Sequence, residues 1–313
     1  MDGLILVDKP QNFTSHDIVL KIRNILNIKK VGHCGTLDPL ATGLMLLALG
    51  KATRLFPFFS SMDKVYEGLI KLGFSTDTYD SAGKPTSSEK KNYPLKDNLS
   101  KTMKKFLGKI QQIPPPYSAK KYKGKPLHVL AREKKEFELR PSEVFIHFFQ
   151  LIKYNPPHLE FKVKCSSGTY IRSLAHDIGQ DLGCGAHLSE LTRTDVGNFN
   201  LKDSHTIGEI KGLADAGKID EFLIPFESLL PEFPKIILRE RGSVLAKNGN
   251  LISPENIQEV ILDESSSADI FPEGKRIFRM FSLEGKFLAL AREVPEKNCF
   301  HPFLVIDSKQ AEQ

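Results

Sequence analysis

The chain has 313 residues, a formal net charge of +6 and a pI near 8.9, so it is long enough for about two domains and basic enough for a polyanionic partner. Its four cysteines form no C-x-x-C pair, which argues against a zinc ribbon, a thioredoxin-like motif and a disulfide framework. We expect a cytoplasmic protein, because the first residues do not resemble a secretion signal and no apolar run approaches the ~20 residues that span a bilayer.

The first segment predicts a strand followed by a helix. Residues 4–7 are a short apolar run typical of a buried strand. Thr14 is placed to cap the helix that follows, with Asp17 three residues on as its capping-box partner.

A loop containing three glycines, Gly32, Gly35 and Gly43, comes next and carries Asp38 followed by a proline. Glycine permits positive φ and a close approach to a ligand, and proline fixes the chain after the aspartate. Asp38 is therefore a candidate functional carboxylate, although Asp-Pro is also a common turn opener.

The middle of the chain predicts further strands, a polar loop and a helix. Strands are expected at residues 44–49 and 66–74, an exposed loop at 81–97 and a helix at about 99–110. The prolines at 114–116 then stop regular structure. The lysine-rich stretch that follows reads either as a solvated face or as an arm that grips RNA phosphates.

Residues 143–151 and 159–165 predict paired strands, and the second alternates apolar and polar residues. A helix is expected after residue 169, with Ile171, Leu174 and Ile178 on its core face and a stop at residues 183–185. Beyond a proline-containing change in composition at 227–234, short regularly spaced strands predict a small β-rich, barrel-like domain.

Five segments in this order resemble the bacterial tRNA pseudouridine-55 synthases, over roughly residues 1–200. The segments are Asp8-Lys9-Pro10 with Thr14-Ser15; Gly32-His33-Cys34-Gly35-Thr36-Leu37-Asp38-Pro39; Lys64-Val65-Tyr66 with Thr76-Asp77-Thr78-Tyr79-Asp80; Gln112-Ile113-Pro114-Pro115 with Tyr117-Ser118-Ala119-Lys120; and Ser167-Gly168-Thr169-Tyr170-Ile171-Arg172. Thr36 occupies a place where other pseudouridine synthase families usually carry arginine. Two departures, Ser167 for a common lysine and Thr192 for a usual arginine, should weaken phosphate contacts modestly.

The resemblance implies an α+β fold with a mixed, largely antiparallel central sheet, flanking helices and a small β-rich C-terminal domain similar to PUA modules. It implies a catalytic domain at residues 1–230, whose loop at about 112–135 closes over the tRNA arm. It also implies an RNA-binding domain at residues 235–313. The PUA-like match lies mainly at residues 244–249 and 285–289.

The resemblance assigns roles in the active site to seven residues. Asp38 is the nucleophilic carboxylate, Arg172 its compensating charge, and Tyr66 a ring that stacks on the flipped uracil and helps remove the C5 proton. Substrate-binding positions are implied for His33, Tyr66, Tyr170, Leu191 and Lys9, where Lys9 either buttresses the site or touches phosphate.

The residues themselves leave other readings open for several of these positions. Tyr66 and Leu191 could be ordinary core residues, and Arg172 a surface arginine, although a cation at a helix start opposes the dipole and so favours a specific partner. His33 could ligate a metal, but no second ligand lies at a helpful spacing.

The implied reaction converts uridine 55 in the T loop of tRNA to pseudouridine after base flipping. It needs no redox change or external energy, so we expect no cofactor and no metal, and a monomer with tRNA as its partner and no membrane. One alternative is a tRNA-binding chaperone that acts without catalysis. A weaker alternative is an aspartate-nucleophile hydrolase.

Overall fold

The computed structural model describes residues 1–118, 139–262 and 276–306, together with the backbone of two short strands at 121–122 and 125–126. Two β-sheets with flanking helices make up this part of the chain. The first sheet has ten strands, in the order β12-β1-β3-β10-β4-β9-β8-β5, with β2 on β3 and β11 on β10. Its pairings are antiparallel except that β3 and β10 run parallel, as the prediction of a mixed sheet requires.

The elements up to residue 126 are, in chain order, β1 (Gly3–Lys9), α1 (Ser15–Leu26), β2 (Val31–His33), β3 (Thr42–Leu49), α2 (Phe56–Ser61), β4 (Lys64–Leu72), α3 (Lys96–Lys105), β5 (Gly108–Gln112), β6 (Lys121–Tyr122) and β7 (Lys125–Pro126). The remainder of the first sheet and its helices are β8 (Ser142–Asn155), β9 (His158–Cys165), α4 (Ile171–Asp181), β10 (Ala186–Val196), β11 (Phe199–Asn200), α5 (Ile207–Asp215) and β12 (Leu223–Pro225).

Local signals explain several of these boundaries. The predicted capping box is present, because the Thr14 hydroxyl accepts from the Asp17 N–H while the Asp17 carboxylate accepts from the Thr14 N–H. Strand β9 buries its alternate residues Leu159, Phe161 and Val163. That buried face packs on helix α4, whose Leu174 and Ile178 belong to the same apolar cluster.

The helix expected at about 99–110 is wrong at its C-terminal end. The helix α3 stops at Lys105, and Gly108, at φ +79°, opens strand β5 instead. Ile110 therefore pairs with Val144 of β8 in the sheet. Positive φ at a glycine ends a helix readily, and the apolar residues at 106, 107 and 110 fit either element.

The second sheet has five strands, in the order β14-β13-β15-β16-β17. Its elements are β13 (Lys235–Leu238), α6 (Glu240–Lys247), β14 (Ile257–Ile261), β15 (Ile277–Phe281), β16 (Phe287–Val294) and β17 (Cys299–Val305). The predicted β-rich unit after residue 234 is therefore present. Its turn between β15 and β16 has Gly285 at φ +78°.

One apolar cluster joins the two sheets. It contains Leu4 and Leu46 of the first sheet, Phe281 and Phe287 of the second, and Phe226 of the connecting segment. Arg279 of β15, which is buried, fastens that segment by donating to the carbonyl oxygens of Leu229, Pro231 and Phe233 at 2.9–3.3 Å. The connection between the units is thus packed and hydrogen-bonded.

None of the helices in the described part of the chain combines the length and the apolar character that a membrane crossing requires.

Candidate active site

The loop between β2 and β3 holds Asp38 in a fixed position. The buried Ser15 hydroxyl at the start of α1 accepts from the Leu37 N–H at 2.9 Å and lies 3.1 Å from the Leu37 carbonyl oxygen. The Asn12 N–H donates to the Pro39 carbonyl oxygen at 2.8 Å. Because contacts on both sides of Asp38 tie the loop to the β1–α1 connection, the carboxylate is preorganised.

Gly43 ends this loop in a place that no larger residue could occupy without movement. Its φ is +96°, and a Cβ added there would lie 2.4 Å from the carbonyl oxygen and 2.9 Å from the nitrogen of Arg193. The glycine thus allows β3 to approach β10 closely, where the two strands pair in parallel. This approach brings Asp38 toward the residues of β10.

Arg172 makes a two-point contact with Asp38. Its Nε lies 2.8 Å from Asp38 Oδ2, and one terminal nitrogen donates to Oδ1 at 3.0 Å. The Arg172 side chain is only 6% exposed, and the Asp38 side chain is 38% exposed. Forked arginine–carboxylate contacts fix orientation as well as charge, so the predicted pairing of these two residues is present.

Other contacts hold the Arg172 guanidinium in place. It donates to the carbonyl oxygens of Thr78 at 3.1 Å and Tyr117 at 3.0 Å. The buried Asp80 carboxylate lies 3.6 Å from the same guanidinium. Arg172 is therefore a buried anchor for three loops and not a surface arginine.

Two opposing effects set the pKa of Asp38. Burial in the pocket raises the pKa of the Asp38 carboxyl above its usual value, and the Arg172 guanidinium counteracts that increase. The nearby Asp80 carboxylate works in the same direction as burial. Arg172 is thus the main group that favours the ionised form of Asp38.

A cavity of about 250 Å³ opens beside this pair. Asp38 and Arg172 line it together with Tyr66, Tyr170 and Leu191. These five residues, which the sequence placed in one site, are therefore brought together. Their assigned roles in binding and catalysis remain predictions.

Tyr66 lies on β4 and is buried. Burial raises the pKa of its phenol, while a hydrogen bond to Arg193 partly opposes that effect. Tyr66 therefore keeps its proton at neutral pH. This favours the stacking role predicted for its ring over a role as a proton acceptor.

The structure places His33 and Lys9 beside the loop and outside the cavity lining. Burial lowers the pKa of His33, which favours the neutral imidazole. Lys9 is fully buried, its Nζ donates to the carbonyl oxygens of Pro10 and Phe13 at 3.0 and 2.8 Å, and burial lowers its pKa to about 8. Of the two roles expected for Lys9, this geometry fits the buttress.

Sequence reasoning did not assign Arg193, Asp80 or Lys64 to the site. Arg193 and Lys64 line the cavity, and Arg193, although 1% exposed, donates to the carbonyl oxygens of Leu44 at 2.7 Å and Gly35 at 3.2 Å. An arginine directly opposite Tyr66 in the β10–β4 register is a usable signal, because charged residues are rarely buried without a partner. Recognising it required knowing that residues 186–196 form a central strand.

The lysine-rich segment predicted to grip RNA falls largely outside the described residues. Within the described ranges, no group of three or more His, Cys, Asp or Glu side chains could hold a metal ion.

The relatives of this chain have one name in common. A tRNA pseudouridine synthase B from Solibacter usitatus (strain Ellin6076) is 38% identical over 306 residues, which cover 98% of this chain and all of the relative. Another from Clostridium tetani (strain Massachusetts / E88) is 41% identical over 296 residues, covering 95% and 97%.

Solved structures share the fold across nearly the whole chain. A Cbf5-Nop10-Gar1 complex contains a chain that is 25% identical with a TM-score of 0.69, covering 93% of this chain and 78% of that one. An H/ACA RNP bound to a substrate RNA containing 2'-deoxyuridine contains one at 24% identity and a TM-score of 0.72, covering 98% and 86%.

Two family models cover the site from end to end. The N-terminal domain of the TruB family pseudouridylate synthases matches residues 23–171, and the C-terminal domain of tRNA pseudouridylate synthase B matches residues 172–231. Asp38 lies in the first match, and Arg172 begins the second. With relatives 38–41% identical over nearly its full length, the chain belongs to the TruB family of pseudouridylate synthases.

Proposed function

We propose that this protein isomerises uridine 55 in the T loop of tRNA to pseudouridine, with Asp38 as the catalytic carboxylate. The observation that carries the proposal is the two-point contact between Asp38 and Arg172 at the wall of a cavity that tyrosine and leucine side chains complete. The name of the relatives, tRNA pseudouridine synthase B, supports tRNA as the substrate class.

The chemistry balances without a co-reactant. The bond from N1 of the uracil to C1′ of the ribose breaks, the base rotates within the cavity, and a bond from C5 to C1′ forms. The proton that leaves C5 is matched by the proton that N1 gains. Asp38 supplies the carboxylate that promotes cleavage, while Arg172 keeps it ionised and oriented.

The cavity suits a base that has been taken out of its stack. Tyr66 offers a ring face and Leu191 an apolar wall, which can hold a detached uracil and exclude water. Extraction from a folded loop costs a few kcal/mol, which contacts to the RNA backbone must offset. The basic charge of the chain favours such contacts.

A single chain supplies all the residues that line the cavity, which supports a monomeric enzyme. We keep residues 1–230 as the catalytic domain and 235–313 as an RNA-binding domain in this proposal. The proposed tRNA substrate places the enzyme in the cytoplasm.

The test is release of tritium from tRNA transcripts that contain [5-³H]uridine. Asp38→Asn should abolish release and leave tRNA binding nearly intact, because the amide has the same shape but is neither nucleophilic nor basic. Asp215→Asn, the same change at an exposed carboxylate, is the matched control and should keep the wild-type rate. Residual turnover of Asp38→Asn within tenfold of the wild type would remove Asp38 from its role.

The same experiment separates the enzyme from a chaperone that only binds tRNA. Wild-type protein that binds the transcript but releases no tritium would favour the chaperone.

A further inference from the structure

Tyr79 and His176 form a stacked pair of rings beside the active site. Their ring centroids lie 3.8 Å apart with an interplanar angle of 11°. His176 follows Arg172 by four residues on α4, so the two side chains occupy the same face of the helix one turn apart. Tyr79 follows Thr78, whose carbonyl oxygen accepts from Arg172. The ring pair therefore adjoins the cavity without lining it.

The backbone holds Tyr79 in an unusual conformation. Its φ is +65°, a region in which bulky residues are uncommon. The Tyr79 N–H donates to the Thr76 carbonyl oxygen at 3.2 Å, and the Tyr79 carbonyl oxygen accepts from the Leu188 N–H at 3.0 Å. A bulky residue at positive φ persists where its surroundings impose it, often at ligand sites. The ring is thus presented on a rigid support.

Packing alone does not account for this pair. Both residues are half-buried and lie outside the apolar clusters of the core. The Tyr79 hydroxyl makes no hydrogen bond within the described part of the chain, whereas that of Tyr154 donates to the Pro94 carbonyl oxygen at 2.8 Å. Among the described residues, the buried Nδ1 of His176 also finds no hydrogen-bond partner. Two aromatic residues with unused polar atoms are more typical of a binding surface than of a core.

The charges around the pair indicate what it would bind. The Asp177 carboxyl acts electrostatically on Tyr79, and burial raises the pKa of Asp177 to about 6. At neutral pH this carboxylate would repel a phosphate but not an uncharged base. A flat aromatic surface next to a carboxylate therefore suits a nucleobase.

We propose that Tyr79, supported by His176, is a stacking platform for an unpaired nucleobase adjacent to the target uridine. This inference rests on the proposed function, because it assumes that the cavity holds that uridine. Stacking of a base on an aromatic side chain contributes about 1–3 kcal/mol. Removing the ring should therefore weaken RNA binding about tenfold, the equivalent of about 1.4 kcal/mol.

The test combines two Tyr79 variants with abasic RNAs. Tyr79→Asn removes the ring, and asparagine tolerates positive φ, so the loop can keep its conformation. Tyr79→Phe keeps the ring and serves as the matched control. Binding is measured for a T-arm stem-loop RNA and for versions with an abasic site at the 5′ or the 3′ neighbour of the target uridine.

Tyr79→Asn should weaken binding of the unmodified RNA about tenfold and leave binding of one abasic RNA unchanged, while Tyr79→Phe stays within twofold of the wild type throughout. An equal loss on all RNAs, or no loss on any, would overturn the platform. Tritium release by the wild type is recorded in parallel. A wild type that binds RNA but releases no tritium contradicts the proposed function, whatever the stacking result.

Discussion

Replacing Arg172 with methionine removes the guanidinium that touches Asp38, Asp80 and two carbonyl oxygens while keeping much of the side-chain length. The change leaves the Asp38 and Asp80 carboxylates without this counter-charge. Removing one partner of a buried ion pair costs about 3–5 kcal/mol. Because the Asp38 side chain is 38% exposed, solvent screens part of the effect. We therefore expect a loss of about 3 kcal/mol in the free energy of unfolding at neutral pH.

The pH dependence of this loss follows from the direction of the Asp38 pKa shift. Its pKa in the folded protein is raised above the ordinary value of 3.8, so between those two values the folded state binds more protons than the unfolded state. Stability contributed by this group therefore falls as the pH rises through that range. Without Arg172 the pKa rises further and the range extends upward. The stability gap between wild type and Arg172→Met should accordingly narrow on acidification.

The assay is single-turnover tritium release as a function of pH, with chemical denaturation of the same samples. Arg172→Met should lose at least about a hundredfold in turnover, as is typical when a group that stabilises charge in an active site is removed, with much less effect on binding. Its acidic limb should move to higher pH. Arg172→Lys should recover only part of the activity, because an ammonium cannot reproduce a forked contact. Wild-type turnover with an unchanged acidic limb in Arg172→Met would refute the reasoning.

Further expectations concern the loop, the lysine-rich segment and metals. Gly43→Ala should destabilise the protein by clearly more than Gly108→Ala, since both positions have positive φ but only at Gly43 would the Cβ meet backbone, 2.4 Å from the Arg193 oxygen. Strain alone should cost about 1–2 kcal/mol, and equal losses in denaturation would contradict the steric argument. Alanine at all of Lys120, Lys121, Lys123 and Lys125, which lie in the sequence-predicted RNA-gripping loop, should weaken tRNA binding and flatten its dependence on salt by somewhat under one log–log unit per lost phosphate contact. An unchanged slope would make these lysines a solvated face. Tritium release should survive EDTA, and a loss that zinc or magnesium reverses, with the tRNA fold monitored, would show a metal requirement.

Much of the first sheet was predictable because its signals are local. The alternation in β9 and the capping box at Thr14 each specify one element without help from the rest of the chain. Strand β10 was not predicted, and its sequence explains why. Bulges interrupt its pairing with β4 between Leu188 and Glu190 and again between Arg193 and Asp195, so its side chains do not alternate in a simple way.

The pairing of Asp38 with Arg172 could be predicted only through the resemblance, since 134 residues separate the two. The contacts of Arg193 could not be predicted, because they depend on β3 and β10 meeting at Gly43. Parallel contacts between strands so far apart in the chain leave no local pattern. Asp80 was visible as part of a motif, but only the fold shows that it faces Arg172.

The apolar cluster that both sheets share has a mechanical consequence. Phe287 of the second sheet stacks on Phe226 with ring centroids 5.1 Å apart and on Phe281 at 5.0 Å, and a hinge between the sheets would expose these rings to water. The two sheets are therefore expected to move as one body. Any RNA that contacts both must match a spacing set by the protein, so the enzyme would select its substrate by length as well as by local shape.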